Sequence, residues 1–219
     1  NTVELCFRHY VKERLCWMKL VIHVFQDHYT ENMYALVYLK NIDAEKRREL
    51  AAETAAKSDP LTRVYNRSSF EEEVSDFMTT GEDSARGALL ILDLDDFKQV
   101  NDRFGHLKGD EVLKSLAEVL RHTFRSHDLI GRLGGDEFLV FVKGIENKEI
   151  LDRRMDQLFS RLNDSCGDFL FCSAGICFVS GEGFDYQKAL KCADTALYES
   201  KKKGKRRYSY YEKMEDMKV

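Results

Sequence analysis

Ala88-Leu89-Leu90-Ile91-Leu92-Asp93-Leu94-Asp95-Asp96 decides the reading of this chain. A short, continuously apolar run of this kind predicts a strand buried on both faces. It runs straight into acids. Asp93 and Asp95 share a face by the two-residue period of a strand. Three carboxylates in four residues beside a buried strand repel one another and call for a cation. A second acidic pair, Asp136-Glu137, follows Gly134-Gly135 between the apolar runs Leu129–Leu133 and Phe138–Val142, which predicts a β-hairpin with a glycine-rich tip. If that hairpin lies beside the first strand, Asp93 and Asp136 can hold hard divalent ions through oxygen.

Outward from this centre, strands alternate with helices. Capping boxes at Ser68/Glu71 and Ser69/Glu72 predict a helix start. Residues 109–125 read as a helix with Val112, Leu113, Leu116, Val119, Leu120 and Phe124 on one face. A helix over 146–163 sets Leu151, Met155, Leu158 and Leu162 in register. Residues 169–179 form a strand, 185–203 a helix and 207–211 a last strand. This order predicts an α/β (α+β) domain with a mixed sheet flanked by helices.

The first part of the chain has a different character. The sole proline is Pro60, and the first of 13 glycines is Gly81. Residues 16–25 and 34–39 are β-branched and aromatic, and the polar stretch 27–32 between them predicts a hairpin. Two or three strands alone are marginal in water. Residues 43–58 are rich in Ala, Glu, Lys and Arg, which predicts a solvated connecting helix or a weak coiled-coil seam. Asp59-Pro60 ends that helix.

Composition excludes several classes. Net charge is −4 across 219 residues, so no global basic field draws in nucleic acid. No apolar run is long enough to span a membrane. The start, Asn1-Thr2-Val3-Glu4, has no signal-peptide character and reads as a piece of a longer, cytoplasmic chain whose whole is free to be membrane-attached. The six cysteines form no C-x-x-C pair. Cys172 and Cys177 fall roughly 16 Å apart on opposite faces of one strand, which forbids a disulfide between them.

Five spaced motifs resemble the GGDEF domain. They are Asp59-Pro60-Leu61-Thr62-Arg63-Val64-Tyr65-Asn66-Arg67, Asp93 to Asp102, Gly105-His106-Leu107-Lys108-Gly109-Asp110, Gly134-Gly135-Asp136-Glu137-Phe138, and Ala193 to Lys201. The resemblance spans residues 59–212 and assigns 59–219 to a catalytic domain. It implies a polymerase-palm-like, ferredoxin-like fold and diguanylate cyclase activity, in which two GTP give cyclic di-GMP and two pyrophosphates. It also implies two Mg²⁺ (or Mn²⁺) per active site and a homodimer, because one domain holds one GTP. More weakly, residues 1–42 resemble the last strands of a PAS sensor, with 43–58 as the signalling helix.

The resemblance carries roles to positions of this sequence. Asp93, the Leu94 carbonyl and Asp136 fall at the metal ligands. Glu137 falls where the attacking 3′-hydroxyl is deprotonated. Asn101 and Asp110 fall at the guanine readers, and a carboxylate there accepts from guanine N1–H and N2–H, which adenine lacks. Phe97 and Lys98 fall at the terminal phosphates, and His106 shares the nucleotide loop. Lys201 and Lys205 fall at the triphosphate, although position 205 is usually Arg and position 206, here Arg206, is usually Asn. Lysine lacks the bidentate fork. Arg132 is the better-placed arginine for phosphate. Arg125-Ser126-His127-Asp128 fits an R-x-x-D inhibitory site for product by its offset from Gly134.

Alone, these acids could cap turns in solvent, Asp110 could be a helix N-cap, and the run Lys201–Arg207 could stabilise a helix end. The alternative function is a catalytically inactive cyclic di-GMP receptor acting through Arg125 and Asp128. A cyclase making a mixed guanine–adenine dinucleotide is disfavoured by Asp110.

Overall fold

The computed structural model describes residues 1–26, 29, 31–80, 86–145, 147–166, 171–181 and 183–212. The chain divides into two compact units, Asn1–Ala56 and Lys57–Val219.

The first unit holds β1 (Thr2–Val11), β2 (Arg14–Gln26) and β3 (Met33–Asn41), followed by α1 (Asp43–Lys57). The strands form one antiparallel sheet in the order β1-β2-β3. The two expected strands are therefore joined by a third, and residues 27, 28 and 30 of the expected turn lie outside the described residues. Val21 and Cys16 are buried, whereas every residue of β3 is exposed. α1 buries no residue, as its polar composition predicts. Asn41 Oδ1 accepts from the Asp43 amide at 2.9 Å at its start, and Arg47 pairs with Asp43 at 3.0 Å.

The second unit contains β4 (Tyr65–Asn66), α2 (Arg67–Thr80), β5 (Arg86–Leu94), α3 (Phe97–Phe104), α4 (His106–Thr123), β6 (Leu129–Gly134), β7 (Glu137–Lys143), α5 (Lys148–Cys166), β8 (Cys172–Ser180), α6 (Tyr186–Lys202) and β9 (Tyr208–Tyr210). Its sheet has the order β4-β6-β7-β5-β8-β9. β5 is central and antiparallel to both β7 and β8. Its period-two alternation divides the core. Ala88, Leu90, Leu92 and Leu94 face the cluster containing α4 and α5, while Leu89 and Ile91 face the one containing α2 and α6. A strand covered on both faces must be apolar throughout, which is why β5 reads as an unbroken run.

α6 lies directly on β8. A Cβ at Gly175 would sit 2.0 Å from the Ala193 carbonyl oxygen and 2.2 Å from the Leu197 amide, so only glycine allows this approach. Ser200 on α6 donates to the Ala174 carbonyl at 2.7 Å. Cys172 and Cys177 belong to opposite core clusters, as their spacing predicts, and no disulfide is found among the described residues.

Three local expectations change. α4 begins at His106 after Gly105, not at Gly109, so Asp110 lies inside the helix and is not its N-cap. The start of α2 is held by Asn66 rather than by the Ser/Glu boxes: its Oδ1 accepts from the Ser69 amide and the Ser68 hydroxyl, both at 3.0 Å. The short α3 was not expected; Asp96, at φ 58, turns the chain into it. The expected start of β8 at residue 169 lies outside the described residues.

Candidate active site

The acids meet where β5 and the β6–β7 hairpin end together. Antiparallel pairing opposes Leu92 to Phe138 and Asp93 to Glu137. The Leu94 amide donates to the Asp136 carbonyl at 3.3 Å, which holds the tip of the hairpin beside the end of β5. Gly135, at φ 54, makes the turn between the two strands. The hairpin expected beside the first strand is therefore there, and it brings Asp93, Asp136 and Glu137 together.

Burial and neighbouring charge act on two of these carboxyls, Glu137 and Asp93. Burial holds the Glu137 carboxyl above the usual carboxylate range, and the charges of Asp93 and Asp136 add to it. Burial also raises Asp93, against the opposing hydrogen bond from Lys201 and with Asp136 pushing the same way. The Lys201 ammonium stands 2.8 Å from Asp93 Oδ1. Lys201 is carried by α6, the helix packed on β8 at Gly175.

This donor set fits a hard divalent cation. Two carboxylates, Asp93 and Asp136, lie with the Leu94 carbonyl at one strand end, and Asp93 already draws a cationic group onto itself. Among the described residues no three His, Cys, Asp or Glu side chains form a preformed cage. The remaining ligands would come from phosphate and water, which is how Mg²⁺ is usually bound.

Neighbouring acids have structural partners. Asp95 accepts from the Ser173 hydroxyl at 2.8 Å and from the Arg206 amide at 3.0 Å, and its own amide donates to the Phe171 carbonyl at 2.9 Å. Lys205 donates to Asp96 Oδ1 at 2.7 Å. Both Lys205 and Arg206 have positive φ, 62° and 51°. Asn tolerates that conformation better than Arg, which gives the expected Asn at position 206 a backbone rationale.

Arg132 does not present a free fork. Its Nε and Nη2 donate to the Gly135 carbonyl at 3.0 and 2.6 Å, and Nη1 donates to Asp59 at 3.2 and 3.3 Å. These bonds make Arg132 a brace between the hairpin tip and the 59–64 turn. Asp59 also accepts from the Thr62 amide at 2.8 Å and hydroxyl at 2.6 Å. Burial works to raise the Asp59 carboxyl, but these donors and Arg132 outweigh it and hold it below the usual range. Asp59 had no role assigned from sequence, although Asp-Pro-x-Thr is a turn pattern in which the carboxylate accepts from following groups.

The residues expected at the base, Asn101 and Asp110, lie on α3 and α4. A Cβ on Gly109 would stand 2.0 Å from Asn101 Oδ1 and 3.1 Å from the Phe97 ring. Gly109 is therefore the space into which Asn101 fits. Asn101, Phe97 and Asp110 are half-buried, whereas Lys98 and His106 are exposed.

The two members of the R-x-x-D pattern separate. Arg125 is exposed. The Asp128 side chain is fully buried and committed to the protein: it accepts from the Arg125 amide at 2.9 Å, the Lys143 amide at 3.1 Å and Arg154 Nη1 at 3.0 Å. The motif could not reveal that its acid fastens a turn to β7 and α5.

Comparison with known proteins matches this arrangement. The chain is 35% identical over 169 residues to the probable diguanylate cyclase DgcC of Escherichia coli (strain K12), covering 75% of this chain and 45% of that protein. It is 36% identical over 159 residues to the diguanylate cyclase DgcP of Pseudomonas aeruginosa, covering 69% and 23%. It thus spans less than half the length of these curated relatives. The GGDEF domain of DgcB from Caulobacter crescentus, solved in complex with c-di-GMP, superposes with a TM-score of 0.66 at 26% identity, covering 72% of this chain and 97% of that one. The family model described as diguanylate cyclase, GGDEF domain, matches residues 56–207, and this chain belongs to that family.

Proposed function

We propose that this chain condenses two GTP into cyclic di-GMP with release of two pyrophosphates. The observation that carries the proposal is the opposition of Asp93 and Glu137 across β5 and β7, with Asp136 at the adjoining tip and Lys201 on Asp93. In each half-reaction the 3′-oxygen of one GTP bonds to the α-phosphorus of the other, and the bond to pyrophosphate breaks. Glu137, a stronger base for its burial and for the charges of Asp93 and Asp136 beside it, takes the 3′-hydroxyl proton. Asn101 and Asp110 hold the guanine, with Asp110 accepting from N1–H and N2–H. Lys98, Lys201 and Lys205 bring positive charge to the triphosphate, with Phe97 at the loop that meets it. For Lys201 and Lys205 this exchanges one anionic partner for another, since each now holds a carboxylate. Arg132 acts as a positioning residue for the tip.

Mg²⁺ or Mn²⁺ held by Asp93, Asp136 and the Leu94 carbonyl would neutralise charge on the reacting phosphates. Each domain offers one set of base readers, so ring closure requires a homodimer of domains. The N-terminal sheet and α1 are the input side, in keeping with their PAS-like reading, and Arg125 is the accessible member of a product site. Incubation with GTP and Mg²⁺ tests the reaction: cyclic di-GMP and pyrophosphate form, and Glu137→Gln lowers the rate by at least about a hundredfold, the usual contribution of a general base. Wild-type protein that binds cyclic di-GMP but makes none would select the receptor reading instead.

A further inference from the structure

A groove of about 590 Å³ lies between α5 and the turn leading into β9, outside the acid cluster. Phe159, Phe171 and Tyr208 give it half-buried aromatic walls. The Arg206 guanidinium is stacked on the Phe171 ring, 3.4 Å from its centroid, and the exposed Arg207 stands beside it. Across from these cations, the exposed Asp156 makes no ion pair among the described residues.

We infer that this groove is a second guanine-nucleotide site. Its volume is that of a small-molecule pocket, which runs from about 300 to 1,000 Å³. A purine ring extends the stack that Arg206 and Phe171 have begun, since bases stack on guanidinium planes as well as on aromatic rings. Arg206 and Arg207 supply the forked donors that phosphate oxygens fit. Asp156 accepts from N1–H and N2–H of guanine; adenine offers no such pair. One ligand thus satisfies the cations, the stack and the unpaired carboxylate together. GTP and cyclic di-GMP share this chemistry.

The site is also wired to the acids. Phe171 and Arg206 grip Asp95 from two sides, through the Phe171 carbonyl and the Arg206 amide. Asp95 lies two residues from Asp93. A ligand that reorders the Phe171–Arg206 stack therefore acts on the turn that carries the cation-binding acids.

Binding, rather than turnover, tests the site, so its failure is distinct from failure of the cyclase reading. Asp110→Ala and Arg125→Ala are combined to remove the base reader and the product arginine. Calorimetric titration of that background with GTP and, separately, with cyclic di-GMP is expected to show one remaining saturable site for at least one of them. The two titrations tell which source occupies it. Adding Arg207→Ala weakens the site about tenfold, the loss of one good contact. Adding Asp156→Asn removes its preference for guanine nucleotide over ATP. Chemical shifts of Phe171 and Tyr208 move on saturation. No binding by the background, equal affinity for ATP, or binding unmoved by both groove substitutions would overturn the inference; melting curves of each variant establish that it is folded.

Discussion

At the scale of single residues, the chain uses several groups differently from what their identity alone announces. Asp59 is the clearest. Its carboxylate, about one-sixth exposed, receives Thr62 and Arg132 together. Its depressed pKa means that the folded state favours the ionised form. That stability is present above the ordinary value of 3.8 and is lost as pH falls through the lower folded value. Asp59→Asn is expected to destabilise by about 1–3 kcal/mol at neutral pH, because Arg132 loses its charged partner. The difference from wild type should shrink as denaturant titrations are taken from pH 5 towards pH 2. A constant difference over that range would show that the charge of Asp59 plays no part.

Gly109 makes a second residue-scale case. Alanine is favoured over glycine inside a helix by about 1 kcal/mol. Yet a Cβ here meets Asn101 Oδ1 at 2.0 Å. Gly109→Ala should therefore leave the fold at least nearly as stable while weakening GTP about tenfold, the effect of displacing one reader of the base. Thermal melting and GTP titration on the same sample separate the two effects. Glycine in this motif is legible from sequence as a close approach. That the approaching group is a neighbouring side chain is not legible, because it depends on how α3 packs on α4.

At the scale of elements, legibility follows burial. β5 was readable because a strand covered on both faces admits only apolar residues, and the hairpin because its turn demands glycine. Helix starts were less readable. Two Ser/Glu pairs offered capping boxes, but Asn66 stands two positions before the first of them and takes the Ser69 amide. Asn66→Ala is expected to cost about 1 kcal/mol, the usual value of an N-cap. Equilibrium unfolding would detect it, and Ser68→Ala should have the smaller effect. The R-x-x-D pattern was legible as residues, but not as one exposed arginine and one buried acid, since a spacing carries no information about which strand lies beneath it. The contact between α6 and β8 has consequences for chemistry as well as packing. Gly175→Ala must move α6 away from the Ala193 carbonyl, at a cost of about 1–3 kcal/mol for overpacking. It should also draw Lys201 from Asp93 and lower turnover more than the stability loss alone explains. Activity at a temperature where the variant remains fully folded distinguishes the two.

For the whole molecule, the two units contrast. Residues 57–219 hold a six-stranded sheet with a core on each face. The three-stranded sheet of the first unit leaves Leu36, Val37, Tyr38 and Leu39 exposed, so it lacks a second layer of its own. No helix among the described residues is long and apolar enough to cross a membrane. The acids at the end of β5 are the centre to which the larger unit is organised: the hairpin delivers Asp136 and Glu137, α6 delivers Lys201, and Arg132 and Asp59 brace the tip. If two such domains face each other to close the ring, specific activity rises with protein concentration. The most direct test is to resolve the products of wild-type protein and of Asp136→Ala after incubation with GTP and Mg²⁺ at high protein concentration. Cyclic di-GMP from the wild type and none from the variant is the expected result; no product from folded, dimeric wild type, or equal product from both, would contradict it.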